Sequence, residues 1–424
     1  MRNSRVEANN FFGNEDDLYP EDDPAIVRAK QMTKQTDQSA DASSEMQVQQ
    51  RTRPGAWSPF SNPFLWPFLA AASLNQASAR FFNDAAAAFA TNLRGDLEPS
   101  ERPWATPNSV ALELPSMRLR DFSIRPQGQT TLICAPYAVH GAIVADFAPG
   151  HSVVETLHLG GLSRLFVTDW RSATAEMRYF SIDSYLADLN IAVDELGPPV
   201  DIVGLCQGGW LALVYAARFP GKVRRLVLVG APVDVRAGDS QLSRLTESVP
   251  LSAFEELVHH GEGLVLGQDM LELWSPPLDT NQVDGVLQVP SAIDPVRLRE
   301  LHERFQQWNA SPLNLPGTYY LQVSRWLFKE NRIAEGRFMA LGRRIDLAKV
   351  ETPMFLLAAG NDEVVSADQL FETARLVGTP KAFLEMATEP CGHLSLFIGA
   401  EVLGGTWRKI AHWLGHDLKT AHPS

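Results

Sequence analysis

Six consecutive residues, Gly204-Leu205-Cys206-Gln207-Gly208-Gly209, constrain this chain more than any other stretch. They end Val200 to Leu205 (VDIVGL), an apolar run of strand length, and they open the helical run Trp210 to Arg218. A strand that turns at once into a helix needs glycine where backbone passes close to backbone, and it presents the side chain at the bend above the sheet. Cys206 holds that position. The helix that starts beside it aims its first amides at the sulfur, which favours the reactive thiolate. A buried packing cysteine is the competing reading, and a Gly-x-Cys-x-Gly spacing alone does not separate the two. The surrounding pattern does.

Short apolar runs recur along the chain at Thr130 to Ala135 (TTLICA), Leu165 to Thr168 (LFVT), Leu226 to Gly230 (LVLVG) and Met354 to Ala359 (MFLLAA). Between two of them, Ile182, Tyr185, Leu186, Leu189, Val193 and Leu196 fall at helical spacing. Alternation of this kind predicts an α/β fold, a mostly parallel sheet with helices on both faces. With a glycine-flanked nucleophile at a strand end, it predicts the α/β-hydrolase arrangement, in which the nucleophile, the acid and the histidine follow in that chain order.

Both partners occur downstream. Asp362 follows the MFLLAA strand and can hold the tautomer of an imidazole; Glu363 is its rival, and a turn-capping aspartate is the plainer alternative. His393, in Cys391-Gly392-His393-Leu394-Ser395 after a last strand expected at Ala382 to Met386, can take the thiol proton and pass it on. Cys391 reads as a neighbour of the site rather than a second nucleophile. Acyl chemistry also needs donors for the oxyanion. The amide of Gln207 is one, and the loop Pro136 to His140 supplies the other through Ala138 or Tyr137. His140, unless it is a structural histidine, and Trp210 are candidate substrate contacts.

Around this core the chain divides unevenly. Residues 1–55 are polar and acidic, too poor in apolar groups to offset ordering entropy, and are expected to be a disordered tail. Residues 56–107 are rich in Trp, Phe and Ala and are expected to be helical, packing on the catalytic domain or a second subunit, or docking onto a lipid or polymer surface. The catalytic core is expected over 108–235 and 351–424. The interval 236–350 loses the alternation and is expected to be a helical cap above the carboxyl ends of the strands, where open α/β sheets bind ligands.

A formal net charge of −13 argues against nucleic acid as a partner. Three cysteines in 424 residues fit a reducing compartment, and the cytoplasm is the expected location. The longest apolar stretch, Phe64 to Leu74, is too short to span a bilayer, and the N-terminal stretch has no secretory h-region. Cysteine and histidine spacings do not match zinc sites, no phosphate loop or dinucleotide fingerprint occurs, and no metal or cofactor is expected. Oligomeric state is left open.

Residues 108–415 resemble the polyhydroxyalkanoate synthases, chiefly their class III type, and share features with the intracellular polyhydroxyalkanoate depolymerases. The resemblance is carried by GLCQGG, by Ile143 to Val154 (IVADFAPGHSVV), by Thr168-Asp169-Trp170-Arg171 and Ile182-Asp183-Ser184-Tyr185, by Lys329 to Val350, and by GHLSLFIG from Gly392. It implies Cys206 as the acylated nucleophile, and 3-hydroxyacyl-coenzyme A or a hydroxyalkanoate polyester as substrate, with coenzyme A a leaving group rather than a cofactor. A polymer granule is a candidate partner through the aromatic segment, on the docking reading of residues 56–107. Two departures bear on direction: Glu363 stands after Asp362 where synthases commonly have histidine, and PYAVHG is closer to the depolymerase loop. The expected activity is thus a polyester-forming acyltransferase. The alternatives are a polyester depolymerase or related thiol esterase, and a non-catalytic granule or synthase-partner protein.

Overall fold

The computed structural model describes residues 104–274 and 278–416. The expected tail over 1–55, and the aromatic segment over 56–107 except its end from Trp104, lie outside the described residues.

Eight strands form one sheet: β1 (Ser109–Glu113), β2 (Met117–Asp121), β3 (Thr130–Cys134), β4 (Arg164–Trp170), β5 (Val200–Leu205), β6 (Val223–Val229), β7 (Met354–Ala359) and β8 (Leu384–Glu389). Their spatial order is β1-β2-β4-β3-β5-β6-β7-β8. The pairings β1–β2 and β2–β4 are antiparallel and all others parallel. Every residue of β3, β5 and β7 is buried. Covering on both faces explains why these strands read as unbroken apolar runs.

Helices α1 (Val153–Leu159), α2 (Ile182–Leu196) and α3 (Gln207–Arg218) make the crossovers. α2 starts where Ser181 and Ser184 cap each other's backbone, and it stops at Gly197, whose φ of 76° turns the chain left-handed. Its buried face is Ile182, Tyr185, Leu186, Leu189, Val193 and Leu196, the set with helical spacing in the sequence, joined by Ala192. α2 packs with α3, and α1 packs with the last helix, Thr406–Gly415.

The β1–β2 hairpin is absent from the sequence reading, and the last strand lies at Leu384–Glu389 rather than Ala382 to Met386. β1 and β8 are the sheet's two edges and none of their residues is buried, so neither carries a continuous apolar signal, while β2, paired on both sides, mixes buried Met117 and Leu119 with half-buried charged residues, which also breaks the run.

Between β6 and β7 the chain is mainly helical, with Leu251–His260, Pro295–Asn309 and Gly317–Gln322 among its helices, and with no strand of the main sheet among the described residues. This stretch is stitched to the loop after β3: the Leu313 amide donates to the Val139 carbonyl at 2.8 Å, and Pro312 bridges His140. Among the described residues no helix is long and apolar enough to cross a membrane.

Candidate active site

The bend between β5 and α3 places Cys206 at φ 48°, ψ −119°, a backbone conformation that a side chain adopts only where its surroundings hold it there. The surroundings are tight. A Cβ on Gly208 would lie 2.1 Å from the Cys134 carbonyl oxygen and 2.6 Å from that of Ala135, so only glycine lets α3 begin against the end of β3. The Cys206 amide donates to Val229 at 2.8 Å, and its carbonyl accepts from Gly209 at 2.8 Å. The thiol is half-buried at the start of α3.

Asp362 lies in the loop after β7 with its carboxylate fully buried. Oδ1 accepts from the amides of Val364 at 2.8 Å and Val365 at 2.9 Å, while Oδ2 accepts from His393 Nδ1 at 2.7 Å. The turn-capping and imidazole-holding readings of this aspartate are therefore both met, one on each oxygen. Glu363 turns away: its carboxylate accepts from the Gln241 side chain at 3.3 Å in an exposed position.

His393 follows β8 with its ring nearly sealed, Phe397 edge-on at 5.3 Å between centroids. Nδ1–H donates to Asp362, which leaves Nε2 as the basic nitrogen. Nε2 is buried and completes no hydrogen bond, yet the Cys206 sulfur is near enough to act on the ring's titration. Sulfur and imidazole are thus close neighbours without a closed bond, as is common before substrate draws such groups together. Burial pulls the imidazole's pKa down. The charge of Asp362, then that of Cys206, and the hydrogen bond to Asp362 outweigh it and carry the net value well above the ordinary one.

The other two cysteines are chemically quiet. Burial, then the carboxylates of Glu389 and Asp362, push the Cys391 thiol up to about 12, and burial pushes Cys134 up to about 12 against a lowering hydrogen bond with Thr168. Neither forms appreciable thiolate near neutrality.

The candidate oxyanion donors sit on both sides of the close approach at Gly208. Gln207 is the first residue of α3, where amides have no partner within the helix. Tyr137 and Ala138 belong to the loop that leaves β3, and the Tyr137 side chain is buried. Trp210 requires a correction as a substrate contact. It is fully buried, stacks toward Phe338 at 6.1 Å, and its Nε1–H donates to the Gln207 side chain at 2.5 Å. It lies one helical turn beyond Gln207 and fastens that side chain instead of meeting a ligand. His140 is also engaged by the protein: its Nε2–H donates to the Asn309 carbonyl at 3.1 Å and its ring lies 4.3 Å from that of Trp308. Its evident role is to join the loop after β3 to the helical stretch. Among the described residues no group of three or more His, Cys, Asp or Glu is placed to hold a metal ion.

Sequence reasoning missed Gly230, at the end of β6. Its φ is 54°, and a Cβ there would lie 3.1 Å from His393 Cε1 and 3.0 Å from Leu396 Cδ1. The only signal was a glycine directly after a buried strand. Gly230→Ala is expected to lower kcat/KM by ~10- to 100-fold by displacing the imidazole, with the far-ultraviolet circular dichroism retained. Unchanged kcat/KM would mean that the ring tolerates the methyl group.

The family profile described as alpha/beta hydrolase fold matches residues 164–400. The chain is 27% identical over 303 residues to the poly(3-hydroxyalkanoate) polymerase subunit PhaC of Synechocystis sp., covering 67% of this chain and 75% of that one. It is 24% identical over 331 residues to the subunit of the same name from Haloferax mediterranei, covering 74% of this chain and 65% of that one, just under two thirds of that relative's length. A third subunit of that name, from Allochromatium vinosum, is 24% identical, with 68% and 82% covered. Among solved structures, a monoacylglycerol lipase of Paleococcus ferrophilus aligns with a TM-score of 0.45 at 15% identity over 70% of this chain and 98% of its own.

Proposed function

Because the chain belongs to the alpha/beta hydrolase fold family, we propose that it is an acyltransferase that builds a hydroxyalkanoate polyester from 3-hydroxyacyl-coenzyme A through a thioester on Cys206. The observation that carries this reading is the state of His393: one ring nitrogen is bound to a fully buried aspartate, and the other is buried, unbonded and beside a cysteine at a strained strand-to-helix bend. The polymerase names of the relatives supply the substrate class.

The chemistry runs in two halves. His393 Nε2 takes the thiol proton as the Cys206 sulfur attacks the thioester carbonyl, and the oxyanion is met by the Gln207 amide and by Tyr137 or Ala138. Collapse breaks the bond to the coenzyme A sulfur, which leaves with the proton from His393. In the second half, His393 removes a proton from the hydroxyl of another 3-hydroxyacyl unit. That oxygen attacks the Cys206 thioester, an ester bond forms, the carbon–sulfur bond breaks and the thiol is restored. The helical stretch between β6 and β7 serves as the cap that shields these steps from water, which would otherwise compete as acceptor.

An insoluble product gives the N-terminal aromatic segment a surface to bind, so the working location is the face of a polymer granule. The test is incubation of the purified chain with 3-hydroxybutyryl-coenzyme A, reading free coenzyme A, free acid and polymer. Polymer formed in step with coenzyme A is expected. Free acid released from preformed amorphous polymer, with no coenzyme A turnover, would replace this reading with hydrolysis.

A further inference from the structure

Three tyrosines from separate parts of the chain meet at the loop after β3, whose start abuts Gly208: Tyr137 in that loop, Tyr185 in α2 and Tyr319 in the helix Gly317–Gln322. Their ring centroids are 4.7 Å apart for Tyr137 and Tyr185, 5.2 Å for Tyr137 and Tyr319, and 4.8 Å for Tyr185 and Tyr319. Two of the hydroxyls are satisfied. Tyr185 donates to Tyr137 at 2.9 Å, and Tyr137 donates onward to the Asn314 carbonyl at 3.5 Å.

The third is not. Tyr319 is only 2% exposed as a residue, and no hydrogen bond joins its hydroxyl to the described residues, yet that hydroxyl is not among their sealed polar atoms without a partner and so keeps contact with open space. A hydroxyl without a protein partner that still reaches open space can meet a ligand there. Burial holds the phenol's pKa well above its ordinary value, with Tyr137, Cys134 and Cys206 as further contributors in that order, so the group stays protonated beside the reactive sulfur. Its helix is pinned: the Gln322 side chain accepts from the Ile182 amide at 2.8 Å, and the Gly317 amide donates to Gly263 at 2.9 Å. The helix that carries the ring is therefore held in place.

A 3-hydroxyacyl group on Cys206 has two polar oxygens. The carbonyl oxygen belongs to the backbone amides at Gln207 and the loop after β3, which leaves the 3-hydroxyl without a partner. We propose that the Tyr319 hydroxyl hydrogen-bonds the 3-hydroxyl of the acyl group carried by Cys206, making Tyr319 a specificity-determining residue for hydroxylated acyl chains. The inference rests on the reading of Cys206 as the acylated nucleophile. A site built around such a bond rejects the analogue that lacks the hydroxyl, because a buried polar group is then left unpaired.

The experiment compares acylation of the full chain by 3-hydroxybutyryl-coenzyme A and by butyryl-coenzyme A, following coenzyme A release and the intact mass of the Cys206 adduct. In the unsubstituted protein the hydroxylated substrate is expected to lead by ~10-fold or more in kcat/KM. Tyr319→Phe, which keeps the ring and its packing, is expected to bring the ratio to about one through loss of the hydroxylated substrate's advantage, with the thermal melting curve retained. A ratio that starts near one, a ratio preserved in the variant, or an equal fall for both substrates would overturn the proposal. If neither thioester loads Cys206 while iodoacetamide still alkylates it, the coenzyme A reading has failed and takes this inference with it. If both load without discrimination, the inference alone fails.

Discussion

Cys206→Ala is expected to abolish acylation by 3-hydroxybutyryl-coenzyme A, with kcat/KM down ~10⁴-fold or more, because the covalent intermediate cannot form and the remaining machinery has nothing to activate. Iodoacetamide should inactivate the unsubstituted protein with one modified residue, Cys206, since the two other thiols are buried and pushed up to about 12. Cys391→Ser makes the comparison sharp, for that residue stands next but one to His393 in the chain and should change the rate by less than ~3-fold. Activity that survived alkylation of Cys206, or that vanished with Cys391, would assign the nucleophile elsewhere.

Asp362→Asn should cost ~10³- to 10⁴-fold in kcat/KM while the protein stays folded. An asparagine side chain can still accept from the turn amides of Val364 and Val365, so the loop keeps its shape. What is lost is the charge that holds the imidazole. In the unsubstituted protein Asp362 is the largest influence raising the His393 pKa against burial, and removing that carboxylate leaves burial less opposed. The sign follows: the raised imidazole keeps its proton to higher pH than an ordinary histidine, so the limb of the pH–rate profile that reports its deprotonation moves to lower pH in the variant. Glu363→Gln, whose carboxylate only meets Gln241, should move neither the limb nor the rate by more than ~3-fold. A variant profile that overlaid the unsubstituted one would show that Asp362 does not govern His393.

Much of the site was legible in the chain because its chemistry is tied to local backbone events. A strand that becomes a helix across Cys206 is written in the spacing of Gly204, Gly208 and Gly209, and two further strand ends followed by Asp362 and His393 are written the same way. The interior strands were legible for a related reason: burial on both faces demands continuous apolar runs. The edge strands escaped because exposure removes that demand, and their places in the sheet depend on pairing with residues far along the chain.

Trp210 shows where local pattern misleads. Its position just inside α3 looked like the rim of a site, whereas packing on Phe338, more than a hundred residues away, draws it into the core. Gly230 and Tyr319 show the reverse case. Neither has a neighbour in sequence that marks it, and each matters through what long-range folding sets against it: the His393 ring for one, Tyr137 and Tyr185 for the other.

The order of the buried strands from Thr130 onward with the helices between them, the bend at Cys206 and the chain order of sulfur, carboxylate and imidazole were determined by the sequence alone, since each follows from hydrophobic period or from a backbone conformation that few residues accept. Which oxygen of Asp362 meets His393, which glycine abuts the ring and which tyrosine is left without a partner were decided only in three dimensions. Those are contacts between segments remote along the chain, and their geometry depends on how whole elements pack.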